Sequence, residues 1–181
     1  MPVYISLLRA INLGAHNRIG MSELEAAIEG LGFDEVKTYL QSGNLVFRAR
    51  RPLAKLSEAI EAKIESAFGL SVSVISRTAE EIGKTIQSNP FLKQDGVDPA
   101  FLHVTFLAST PTAAAEKLAR LRAEPDQFRH SGREVYLYCC QGYGRTKLSN
   151  QAIERALALR ATTRNWRTVN QLYQMAAEIA R

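Results

Sequence analysis

Sulfur is scarce in this chain. Among 181 residues only two are cysteines, and they are neighbours, Cys139 and Cys140. That excludes a disulfide framework and leads us to expect a reducing, cytoplasmic setting. Histidine is equally sparse: His16, His103 and His130 stand alone, with no H-E-x-x-H, C-x-x-C or clustered His/Asp/Glu pattern. No metal site is expected, and no motif implies a cofactor. The G-x-S-x-G elbow of α/β-hydrolases is missing too. Apolar runs extend only a few residues, far below the roughly 20 that a membrane span needs. No basic leader precedes the apolar start, so neither a membrane segment nor a secretory leader is expected.

What is present describes an ordinary folded chain, 46% hydrophobic and 23% charged, which disfavours disorder. Charge is unevenly spread. Residues 1–108 carry 11 basic and 12 acidic side chains, whereas residues 109–181 carry 12 and 6. Much of the excess lies in 142–167, where Arg145, Lys147, Arg155, Arg160, Arg164 and Arg167 face one acid, Glu154. Such a cluster attracts phosphate esters, nucleic acid, carboxylates or an acidic protein. The same run also reads as a solvated surface with no partner.

Patterning gives the elements. Val3 to Arg9 reads as a strand. Ser22 and Glu25 read as a capping box opening a helix with Leu24, Ile28 and Leu31. Two strands, Glu35 to Leu40 and Leu45 to Arg48, flank a turn at Gln41-Ser42-Gly43-Asn44. Leu53, Leu56, Ile60, Ile64 and Phe68 mark an amphipathic helix, and Val72 to Ser76 a β-branched strand. The order β-α-β-β-α-β is ferredoxin-like. Thr78 and Glu81 form a second capping box, whose short helix ends at Asn89-Pro90.

The second half begins alike. A strand at Phe101 to Ala108 precedes a helix starting at Thr110-Pro111-Thr112. A hairpin then turns at Ser131-Gly132. Two helices follow, Ser149 to Leu159 and Trp166 to Ala180, with no closing strand evident. The expected class is therefore α+β, a tandem duplication of ferredoxin-like β-α-β-β units with two C-terminal helices. Residues 1–88 form the first subdomain, 89–100 the connection and 101–181 the second subdomain.

Three loops carry candidate chemistry. In Gln141 to Ser149, Gly142 and Gly144 expose backbone N–H groups ahead of a helix N-terminus, and Arg145 and Lys147 add full charges. The pattern matches neither a P-loop nor G-x-G-x-x-G. It reads equally as a glycine turn whose cations pair with surface acids. In Ala161 to Val169, Thr162, Thr163 and Asn165 are possible N-caps. Arg164 and Arg167 sit near a helix start, where cations are disfavoured unless an anion binds between them. Trp166 could stack on a base, but it also opens the apolar stripe Val169, Leu172, Tyr173, Ala176, Ile179, which favours a structural role. In Arg9 to Gly20, Arg9 and Asn12 end a strand, a usual place for ligand contacts, while His16 and Arg18 extend the rim or simply stabilise the loop.

Five blocks carry a resemblance: Arg9-Ala10-Ile11-Asn12-Leu13-Gly14, Leu40 to Phe47, Asn89-Pro90-Phe91, Gly142 to Leu148 and Ala161 to Val169. In these the chain resembles the bacterial family called domain of unknown function 1697, from near residue 3 to about residue 175. The resemblance implies a tandem pair of α+β subdomains of ferredoxin-like character in a small cytoplasmic bacterial protein. It implies no activity and no catalytic residues.

The resulting expectation is a module that binds a phosphate-bearing ligand, either a nucleotide or a nucleic-acid backbone. Its anion-binding residues are Arg9, Asn12, Gly142, Gly144, Arg145, Lys147, Arg164, Asn165 and Arg167. Two alternatives stand beside it. One is an enzyme acting on a small phosphorylated or carboxylated metabolite through the same cations, with Asn12, Tyr143 and Cys140 as the nearby reactive groups. The other is an interaction domain for an acidic protein. Oligomeric state is left open.

Overall fold

Strand alternation decides the first sheet. In β1 (Val3–Leu8) every residue is buried, and Tyr4 and Leu8 point toward the helices because successive side chains alternate between faces. A computed structural model describes residues 1–15 and 17–181; the rim position expected for His16 lies outside the described residues. Among the described residues there are two four-stranded antiparallel sheets and six helices. The chain divides into two compact units, Met1–Gly83 with Gln171–Arg181, and Lys84–Asn170. The last eleven residues thus group with the first unit, unlike the division drawn from sequence, and the boundary falls inside two helices.

In the first unit, β1 is followed by α1 (Met21–Glu29), β2 (Asp34–Tyr39), β3 (Asn44–Arg48), α2 (Leu53–Phe68) and β4 (Val74–Thr78), with strand order β2-β3-β1-β4. The 3.6-residue stripe of α2 buries Leu56, Ile60 and Ile64, and α1 adds Leu24 and Ile28. Phe33 stacks on Phe47 at 4.8 Å within this core. The boundary helix α3 (Ala79–Gln87) follows β4 directly. Its capping box is as read: Thr78 N donates to Glu81 Oε2 at 2.8 Å, and Glu81 N donates to Thr78 Oγ1 at 3.1 Å.

The other capping box is a correction. The N-cap of α1 is Gly20, without a side-chain cap, and Ser22 lies inside the helix. Glu25 turns instead to β2, accepting from Thr38 N at 2.7 Å and Thr38 Oγ1 at 2.8 Å. Two well-aligned donors across the unit outweigh one local bond back to the helix start.

The second unit contains β5 (Leu102–Leu107), α4 (Ala114–Ala119), β6 (Gln127–Ser131), β7 (Glu134–Tyr138), α5 (Asn150–Leu157) and β8 (Ala161–Asn165), with strand order β6-β7-β5-β8. Two expectations change here. Helix α4 starts at Ala114 rather than at Thr110, because Ala113 takes a left-handed φ of 50° and breaks any earlier turn. And a closing strand exists: β8 pairs antiparallel with β5 over Leu107↔Ala161 to His103↔Asn165. Its sequence, Ala-Thr-Thr-Arg-Asn, has no apolar run, so it looks like a loop. The neighbouring strand makes it a strand.

One set of hydrogen bonds recurs in both units. Ser6 and Ser76 hydroxyls meet at 2.7 Å between β1 and β4; Thr105 and Thr163 hydroxyls meet at 2.8 Å between β5 and β8. Glu61 of α2 accepts from Val74 N, and Glu154 of α5 accepts from Ala161 N, each at 2.8 Å. Ser57 of α2 bonds Ser76, and Asn150 of α5 bonds Thr163. One residue further along each last strand stands a buried arginine, Arg77 or Arg164, whose Nη1 donates to the preceding carbonyl. The next residue, Thr78 or Asn165, caps the helix that follows.

The last helix, α6 (Trp166–Ala180), begins at that second cap. Its stripe is buried at Trp166, Val169, Leu172, Ala176 and Ile179. Within the first unit, Arg48 donates to the carbonyl of Ile179. The Tyr173 ring sits so close to Gly83 that a Cβ there would meet it at 2.9 Å.

Candidate functional site: the basic surface of the second unit

Charge separates the two units. The first carries 10 basic and 11 acidic residues, the second 13 and 7. The expected site residues divide between them.

In the first unit, Arg9 follows β1, half-buried, and its N–H donates to Ser73 O at 2.8 Å. Asn12 is committed to its own loop. Its Nδ2 donates to Ile19 O and Gln41 O at 3.1 and 2.9 Å, and its Oδ1 accepts from Ile19 N at 2.8 Å. It holds the loop after β1 onto the β2–β3 turn, with a left-handed φ of 53° that asparagine tolerates.

In the second unit, Gly142 to Lys147 wraps the entrance to α5. Gly142 has φ 89°, a conformation that favours glycine. A single 3-10 turn, Tyr143–Arg145, follows. Tyr143 locks it down. Its hydroxyl accepts from Asn150 N at 2.9 Å, and its ring stacks on His103 at 4.7 Å. Ser149 Oγ accepts from Ala152 N. Gly142 N, Arg145 N, Thr146 N and Leu148 N also bond within the turn. Several of the backbone donors expected to cradle an anion, Gly142 N among them, are therefore satisfied internally. What faces outward is Gly144, Arg145 and Lys147, all exposed. The Lys147 ammonium donates to Arg122 O at 3.1 Å, which sets the turn against the residues just after α4.

The arginines of the second loop part company. Arg164 is inside β8, not in a loop, and only 9% exposed. Its Nη1 donates to Thr162 Oγ1 at 2.8 Å and Thr163 O at 2.9 Å. Burial pulls its pKa down to about 10, partly offset by nearby Tyr143, so it stays charged at neutral pH. Arg145 and Arg164 thus occupy different environments, one at the surface and one interior. Arg167, in the first turn of α6, is exposed. Asn165 Oδ1 accepts from Thr168 N at 2.8 Å and serves as the N-cap.

Burial also shapes the reactive groups. It raises the Tyr143 hydroxyl, with Thr163 and Asn150 opposing, and lowers His103, whose Nδ1 lies 3.2 Å from Phe101 O. Cys139 is pushed up to about 11, mainly by burial. Desolvation and the Asp126 carboxylate, 3.5 Å from its sulfur, push Cys140 up as well. A raised pKa leaves less of a thiol as the nucleophilic thiolate at a given pH. Among the described residues, no group of three or more His, Cys, Asp or Glu could hold a metal ion, and no helix is long and apolar enough to cross a membrane.

Sequence reasoning missed a trough between α4 and α5, about 360 Å³ in volume and lined by Lys117, Arg120, Leu121, Ala152, Arg155 and Ala156. The composition signal was there, since Arg155 lies in the basic run. The pairing of two helices about 35 residues apart was not.

Comparison with known proteins gives a family and a fold. The model of a family described as "Protein of unknown function (DUF1697)" matches residues 1–136. That span is shorter than the 3–175 expected, and the blocks at 142–148 and 161–169 lie beyond it. No curated protein gives a match. Among solved structures, the conserved bacterial protein SP0830 from Streptococcus pneumoniae is similar, with TM-score 0.75 and 20% identity over 97% of this chain and 98% of that one. At that identity the likeness concerns fold alone.

Proposed function

The chain belongs to the DUF1697 family of proteins of unknown function, and on that premise we propose that its second unit binds a phosphate-bearing ligand, a nucleotide or a nucleic-acid backbone, through exposed cations. The observation that carries this reading is the charge split. The first unit is near neutral and the second holds an excess of six positive charges. Arg145, Lys147 and Arg167 are exposed there, so their charge is available to an anion. Gly142 and Gly144 shape the turn that carries Arg145 and Lys147. Arg9, Asn12 and Asn165 hold loops and a helix cap, and Arg164 lies buried in its strand. The same reading takes each unit as one copy of a duplicated ferredoxin-like fold, supported by the shared strand order and recurring hydrogen bonds. A cytoplasmic setting fits two free cysteines.

The test is fluorescence anisotropy with a labelled nucleotide and a labelled oligonucleotide. The triple variant Arg145→Ala/Lys147→Ala/Arg167→Ala is expected to lose binding while keeping its melting temperature. For duplex DNA, affinity should fall with salt at a slope near −0.9 per neutralised phosphate, as an order-of-magnitude guide. A nucleotide would show weaker salt dependence. Unchanged affinity in the triple variant rejects the reading.

A further inference from the structure

The trough between α4 and α5 differs in chemistry from the Gly142–Lys147 turn beside it. Its floor is apolar and small: Ala152 and Ala156, one turn apart on α5, face Leu121 just after α4, and all three are only partly buried. Its rim is cationic. Lys117 is half-buried, its ammonium 3.5 Å from Thr112 Oγ1. Arg120 is 73% exposed and paired with Glu116 on its own helix. Arg155 is exposed on α5. No acid and no aromatic line the trough.

This combination selects its occupant. A bare phosphate would rest on methyl groups and receive no donor from the floor, which opposes its desolvation. A nucleobase would find no ring to stack on, the usual source of sequence-tolerant affinity for single strands. The occupant must bring apolar side chains for the floor and carboxylates for the rim. An amphipathic helix does both, with anchors at i, i+3, i+4 and i+7 and charge on its flanks. We propose that the α4–α5 trough is the docking groove for an acidic amphipathic helix of a partner protein. The proposal is independent of phosphate binding at Arg145, Lys147 and Arg167.

The probe is a fluorescein-labelled synthetic helix of about 14 residues, leucines on one face and glutamates on the other, titrated with the full chain. Saturable binding is expected. Lys117→Glu/Arg155→Glu should weaken it by about tenfold or more, as charge reversal against a complementary partner does. Ala156→Gln, which fills the floor without changing charge, should weaken it too. Arg145→Ala should leave it within about twofold, separating this groove from the phosphate reading. Circular dichroism melts confirm that each variant is folded. Three results overturn the proposal. One is equal affinity for a peptide of the same composition with leucines and glutamates shuffled, which reduces the effect to charge. Another is displacement of the peptide by an oligonucleotide whose own binding the double reversal abolishes, which makes the trough a nucleic-acid site. The last is a wild-type dimer in light scattering that the double reversal dissolves, which makes a second copy the occupant.

Discussion

Where the first unit carries Tyr4 on its first strand, the second carries His103; where one pairs Ser6 with Ser76, the other pairs Thr105 with Thr163. The helix that follows the first strand differs more. Helix α1 holds three glutamates and no cation, whereas α4 holds Glu116 and Lys117 and runs on to Arg120. Bonds between helix and last strand recur in both units, and the surfaces differ. Bonds in the interior are expensive to lose, because a buried polar group without its partner has no water to replace it. Surface charge is nearly free to vary. The comparison teaches which residues hold the arrangement common to both units and which distinguish one unit from the other: Glu61 and Glu154 belong to the first class, Lys117, Arg145 and Arg155 to the second.

The largest break in this symmetry should come at the hairpin turns. Gly43 has φ 76°, and a Cβ there would meet Ile11 Cδ1 at 2.6 Å and Leu8 Cβ at 2.8 Å. Gly132, with φ 57°, has nothing nearer than Glu134 Oε2 at 3.9 Å. Gly43→Ala combines left-handed strain with overpacking, about 3 kcal/mol or more. Gly132→Ala carries only the strain, about 1–2 kcal/mol. Urea unfolding measures both. Equal losses would mean that the closeness of Ile11 and Leu8 is relieved without cost.

The bond from helix to last strand should show the symmetry itself. Glu61→Ala removes the acceptor for Val74 N, and Glu154→Ala the acceptor for Ala161 N. Hydrogen bonds to charged groups contribute about 1.5–3 kcal/mol. Each variant should lose an amount in that range, and the two losses should be similar. A large loss in one unit and none in the other would show that the shared geometry hides unequal energetics.

Much of this frame is legible in the residues because it is local. The stripe of α2 and the Thr78–Glu81 box need only neighbours three or four positions away. Misreadings arise where a distant residue decides. Glu25 looks like a cap until Thr38 supplies two donors. Ala161 to Asn165 looks like a loop until β5 pairs with it, and with it Arg164 passes from a surface cation to an interior one. The candidate site follows the same rule. Arg145 and Lys147 are visible as charge in a glycine turn, but the plugging of that turn by the Tyr143 hydroxyl depends on Asn150 N, and the α4–α5 trough on packing that no periodicity encodes.

The smallest expected effect concerns His103, which stands on the first strand of the second unit where Tyr4 stands on that of the first. Tyr4 in the first unit donates its hydroxyl to Arg51 O at 3.1 Å. His103 in the second unit stacks on Tyr143, and desolvation lowers its pKa below the usual 6.5 despite the Phe101 carbonyl. Folding then favours the neutral imidazole. The unfolded chain binds the proton first as pH falls, so the stabilisation is complete above about pH 6.5 and declines through the window just below it. Carboxylates titrate in part of that range, so the difference between wild type and His103→Tyr is the quantity to measure. His103→Tyr imports the first unit's residue and removes the titration. Urea unfolding between pH 7.5 and 5.5 should show a shallower loss for the variant than for the wild type. Parallel curves would show that the imidazole is as easily protonated folded as unfolded, and that its stacking on Tyr143 does not exclude water from the ring.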